Sequence, residues 1–124
     1  MSDDDLIILD GCTFFYSRSN GDVETNDSTG LFYRDVRHVS RWLLRVNDQK
    51  LDPMTSRRVD YYSARVVSKP HRAESDRPSV SVRRDRFVSE GVHEDVILEN
   101  LTEEPQEVRL ELSYGSDFAD VMEA

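Results

Sequence analysis

The stretch "GLFYRDVRHVSRW" at residues 30–42 holds the densest set of side chains able to do chemistry. Arg34, Arg37 and Arg41, with Asp35 and His38, are threaded between Tyr33, Val36, Val39 and Trp42. Three chemistries suit those residue types. Guanidinium groups interleaved with aromatic rings can grip a nucleic-acid backbone and stack on bases. A histidine close to an aspartate can move protons. An aspartate set among arginines on an apolar footing can form a charge-paired structural corner.

Elsewhere the catalytic signals are weaker. A Ser-His-Asp triad needs nucleophile, base and orienting acid to converge. His38, His71 and His93 lie in a charged corner, a polar loop and a strand pattern, and no nucleophile-elbow pattern accompanies them. His93, Glu94 and Asp95 are sequence neighbours, and adjacent strand residues point to opposite faces, so they do not make a metal site by themselves. With 25 acidic residues, carboxylate pairs are unavoidable and do not mark a glycosidase. No glycine-rich phosphate loop or calcium-loop pattern is present, so neither a cofactor nor a metal is expected. Cys12 stands alone, which excludes an intramolecular disulfide and a thiolate zinc cluster. Between Gly11 and Thr13 it reads as a small, half-buried strand residue.

Composition then narrows the partners. A chain of 124 residues is about one domain, residues 1–124, able to bury a modest core. The formal net charge of −9 disfavours phosphate backbones, which removes the nucleic-acid reading of the arginine cluster. Lys50 and Lys69 are the only lysines among 16 basic residues. An acid-rich, lysine-poor surface suits a cytoplasmic protein of a high-salt environment, where carboxylates hold hydration. The N-terminal "MSDDDLIILD" is neither a signal peptide nor a membrane span, so no membrane partner is expected.

The elements that must position these residues are mostly strands. "LIIL" and "TFFYS" read as a hairpin through Asp10 and Gly11, and Asn20-Gly21 favours a tight turn. In residues 33–46 the apolar spacing of three and four predicts a helical turn over 35–39, and the alternation from Trp42 predicts a strand over 40–47. "NDQK" closes that strand like a hairpin loop. "RVDYYSARVVS" is rich in β-formers, with Tyr61 and Tyr62 alternating across a strand, and "KPHRAESDRP" is a polar loop. "SVSVRRDRFV" runs through Ser89, Glu90 and Gly91 into "VHEDVILENL", and "TEEP" makes a turn before "QEVRLELSYG". In that last strand the alternation predicts that Val108, Leu110, Leu112 and Tyr114 share a buried face opposite Val96 and Leu98. Long strands and short turns predict an all-β fold, an antiparallel β-sandwich. The ending "SDFADVMEA" follows a strand with nothing to complete the sheet, which reads as a partial domain.

Three landmarks occur in one order: "GLFYRDVRHVSRWLLRVN", "RDRFVSEGVHEDVILENLTEEPQEVRLEL" and "SDFADVMEA". In this the chain, over residues 6–123, resembles the N-terminal domain of bacterial and archaeal glycogen debranching enzymes of the amylo-α-1,6-glucosidase type. The resemblance implies a non-catalytic β-sandwich similar to the galactose-mutarotase-like supersandwich. It implies a catalytic (α/α)6 barrel as partner, in cis or in trans, with α-glucan as a further partner, and it carries over no catalytic residue. The alternative is a free-standing carbohydrate-binding or protein-interaction module. Tyr33, Arg34, Asp35, Arg37 and His38 then become a structural corner first, with Asp35 bridging Arg34, Arg37 or Arg41. A domain-docking surface is the functional alternative for that corner, and direct sugar contact the third.

Overall fold

In the computed structural model, residues 5–25, 27–71 and 78–119 are described. Most of the predicted "KPHRAESDRP" loop and the end of "SDFADVMEA" lie outside them. Ten strands make up the described chain: β1 (Leu6–Asp10), β2 (Thr13–Ser17), β3 (Gly30–Tyr33), β4 (Val36–Val39), β5 (Arg41–Val46), β6 (Leu51–Asp60), β7 (Ser63–Pro70), β8 (Val80–Val88), β9 (Val92–Asn100) and β10 (Leu110–Gly115). Every pairing is antiparallel. No helix is long and apolar enough to cross a membrane among the described residues.

One layer holds the order β1-β2-β3-β4 and continues, through Ser40 and a bridge from Val23 to Trp42, into β5 paired with β10. The facing layer is β6-β7-β8-β9. Period-two burial along β2, β7 and β8 shows which side chains the two layers enclose. Ile8, Phe15, Val23 and Leu31 of the first layer pack on Ala64 and Val88 of the second. Leu44 and Val46 pack on Leu51 and Val82, with Val96 and Val108 alongside. The expected β-sandwich is therefore present.

The predicted hairpins β1–β2 and β8–β9 form as read, the first turning at Gly11 with φ of 60°. Four local expectations are corrected. Residues 35–39 are not helical: Arg34 and Asp35, at φ of 50° and 70°, make a two-residue turn between β3 and β4, the left-handed pair that a tight hairpin needs. The mixed spacing that resembled a helix arises because β4 bends into β5 at Ser40 and β3–β4 slips register at Leu31/Phe32. Tyr61 and Tyr62 do not alternate along one strand but form the turn between β6 and β7. Cys12 is exposed in the β1–β2 turn, not half-buried in a strand.

Residues 47–50 do turn the chain tightly as read: Asn47 and Asp48, at φ of 53° and 63°, sit under an antiparallel bridge of Val46 with Gln49, after which β6 leaves β5 to pair with β7. The largest correction concerns β10. After β9 the chain crosses back to the first layer, where β10 pairs with β5. Val108 does pack beside Val96, but Leu110, Leu112 and Tyr114 are 46%, 46% and 72% exposed. They share a face, as alternation requires, and among the described residues no strand lies across it.

Candidate functional site

The charged corner is built on Gly30. A Cβ there would stand 2.6 Å from Arg37 Cδ and 2.7 Å from the Val39 carbonyl oxygen, so only glycine lets Arg37 lie along β3. Arg37 is 3% exposed. Its Nη1 donates to the carbonyls of Asp27 (2.8 Å) and Thr29 (3.2 Å), and its Nη2 donates to that of Thr25 (3.2 Å). Its Nε donates to Asp117 Oδ1 at 3.2 Å, while Nη2 pairs with Oδ2 of the same carboxylate. The backbone N–H of Arg37 donates to the Ala119 carbonyl at 2.8 Å. The Arg37 hydrogen bond holds the Asp117 carboxyl below its usual range. Arg37 thus straps residues 115–119 against β4.

Asp35 does not bridge Arg34, Arg37 or Arg41. It is exposed in the turn and makes no ion pair among the described residues. Arg41 donates instead to the Tyr114 carbonyl. Tyr33, Arg34 and His38 sit above the strap: the Arg34 guanidinium lies 5.3 Å from the Tyr33 ring centroid, and His38 meets Tyr33 and Phe118 edge-on. Of the five corner residues, Arg37 is the buried lock, and Tyr33, Arg34, Asp35 and His38 form its outer rim.

His38 also lines an apolar groove of about 480 Å³ with Val39, Trp42, Leu112, Tyr114, Gly115 and Ser116. Among these is Trp42, which sequence reasoning treated only as an apolar spacer. Its Nε1 donates to Glu94 Oε2 at 3.1 Å across the sandwich.

Glu94 belongs to a buried network that sequence reasoning missed. Arg84 and Arg86 are 1% and 5% exposed. Glu94 Oε1 accepts from Arg84 Nε (3.0 Å) and from Arg86 Nε (3.0 Å) and Nη2 (2.6 Å). Arg84 Nη1 also donates to Asp22 Oδ1 at 2.8 Å, and that oxygen accepts the Leu44 N–H. Two guanidiniums and two carboxylates therefore close a neutral set between the layers, and Arg86 stacks over the Phe15 ring at 4.2 Å. Burial pushes the Glu94 carboxyl up, but Arg86 and Arg84 outweigh it and leave the group below its ordinary value. Burial pulls Arg86 down to about 10 against the opposing pull of Glu94. The signal was present in the sequence: Val80, Val82, Arg84, Arg86 and Val88 share one phase of β8, and Glu94 shares that of Val92 and Val96.

A polar cleft of about 590 Å³ lies near Tyr16 and Arg18. Its carboxylates are engaged: Asp5 accepts from Tyr16, Glu24 and Asp27 pair with Arg18, Asp52 with His71, and Asp22 with Arg84. No group of three metal-ligating side chains occurs among the described residues.

A family model described as the N-terminal domain of some glycogen debranching enzymes matches residues 8–124. No curated protein matches the chain.

Proposed function

The chain belongs to this family of N-terminal domains of glycogen debranching enzymes, and from that we propose that it is the non-catalytic β-sandwich of such an enzyme, docked on a catalytic (α/α)6 barrel that cleaves α-1,6 branches of α-glucan. The observation that carries the reading is the apolar groove of Val39, Trp42, Leu112 and Tyr114, because a contiguous exposed apolar surface marks an interaction site. The outer rim of the corner, Tyr33, Arg34, Asp35 and His38, joins that groove through His38 and forms the polar border of the docking face.

The carboxylates suit a non-catalytic role. Glycoside hydrolysis uses two carboxyl groups facing one sugar, one of them protonated at working pH. Asp22 and Glu94 are each held by buried arginines, and the acids of the polar cleft pair with neighbours. Cytoplasmic location and adaptation to high salt follow the acidic composition.

Sedimentation velocity of the chain mixed with a separately produced catalytic portion of a family enzyme tests the proposal. Association is expected, at least tenfold weaker for Tyr114→Asp, with no sugar release from branched glucan by the chain alone. Absence of association, or glucan cleavage by the chain alone, overturns it.

A further inference from the structure

The sandwich is uneven at its β9–β10 side. β5 lies beneath the β8–β9 side of the opposite layer: Trp42 donates to Glu94 of β9, and Leu44 and Val46 pack with Val82 of β8 and Val96 of β9. β10 pairs on the far side of β5 and so projects one strand beyond β9. Leu110, Leu112 and Tyr114 stand in register with Val46, Leu44 and Trp42, on the core-facing side of their layer. They remain 46%, 46% and 72% exposed because, among the described residues, no strand lies across from them. β9 itself ends the opposite layer: among the described residues no strand pairs with its outer edge, and Leu98 on its inner side is 40% exposed.

Neighbouring strands lie about 4.8 Å apart, so one more strand bonded to β9 would fall over β10. We infer that the outer edge of β9 is a strand-addition site for an extended segment whose alternate apolar side chains cover Leu98, Leu110, Leu112 and Tyr114. The opposite face of β9 presents His93, Asp95, Ile97 and Glu99, so the added strand carries basic side chains where it meets the two carboxylates. A second copy of this chain does not fit. Pairing β9 with its own copy about a two-fold axis would put the copy's β5 where β10 stands. A helix in the groove would leave the alternating N–H and C=O groups of the β9 edge unpaired. The strand comes from the remainder of the debranching enzyme. That attribution rests on the docking proposed above, whereas the strand addition does not.

Trp42 is the single tryptophan of the chain and lines the groove, so its emission reports occupation. The probe is an end-blocked peptide of alternating valine and arginine, about as long as β9. Titration is expected to shift Trp42 emission to the blue. Every second β9 amide should then exchange at least tenfold more slowly by NMR, with β10 amides unchanged. A valine–glutamate peptide is expected to bind at least tenfold more weakly, as is Leu112→Glu, a change at a half-exposed site with the circular dichroism of the parent chain. A Trp42 shift without β9 protection overturns strand addition, as does protection of β10 instead. Dimerisation of the peptide-free chain, or no binding at millimolar peptide, overturns it equally. None of these outcomes bears on association with a catalytic portion, so the two readings fail separately.

Discussion

Glu94→Ala should be among the most damaging single substitutions in this domain. Glu94 Oε1 takes three hydrogen bonds from Arg84 and Arg86. Its loss leaves Arg86, 5% exposed, without a carboxylate partner, although Arg84 keeps Asp22. Breaking a buried pair from one side costs about 3–5 kcal/mol, because the remaining charge is stranded away from water. A domain of this size has about 5–15 kcal/mol in total. With a urea slope of about 2 kcal/mol per molar, the midpoint should fall by roughly 1.5–2.5 M. Urea melts followed by circular dichroism read this directly. Glu94→Gln keeps the shape and the acceptor for Trp42 yet should lose nearly as much, since the deficit is charge. The double change Arg86→Met with Glu94→Met should recover most of it. The sign with pH is fixed as well. The folded carboxyl of Glu94 lies below its unfolded value of 4.5, so its contribution is fully present above that pH and lost as pH falls through the folded value. Wild type should therefore lose more stability below pH 4.5 than Glu94→Gln does. A loss under about 1 kcal/mol for Glu94→Ala, well below the cost of a broken buried pair, would refute the argument.

Further outcomes follow from the corner and from the net charge. Arg37→Met should cost about 3 kcal/mol, since it leaves the Thr25, Asp27 and Thr29 carbonyls without their donor, whereas Asp35→Ala should stay within about 0.5 kcal/mol; thermal melts of the two variants check both. Gly30→Ala should lose about 1–3 kcal/mol, because the added methyl meets the rigid Val39 carbonyl as well as the Arg37 stem; denaturant midpoints decide. With a net charge of −9, the melting temperature should rise between 0.01 M and 1 M salt as carboxylate repulsion is screened, and a flat profile would count against a self-repelling surface.

Alternation was enough to read most strands, because side chains two apart must face the same way whatever lies opposite. It placed the β1–β2 and β8–β9 hairpins, and it carries the phase of Arg84, Arg86 and Glu94 for a reader who asks why charges keep step with valines. It could not say which layer a strand joins. The face of Leu110, Leu112 and Tyr114 is legible in "RLELSYG", but its exposure depends on a crossing that takes β10 to β5 and not to β9. The β3–β4 turn was hidden because Arg34 and Asp35 hold left-handed angles without the Asn-Gly chemistry that announces them. Arg37 shows the same limit for charge. Asp35 is two residues away and Asp117 is eighty. Burial chose the distant partner, because the hairpin turn carries Asp35 into water while the strap after β10 brings Asp117 to the covered guanidinium. Local sequence fixes the direction a side chain takes from its backbone, and only the packed chain determines what it meets there.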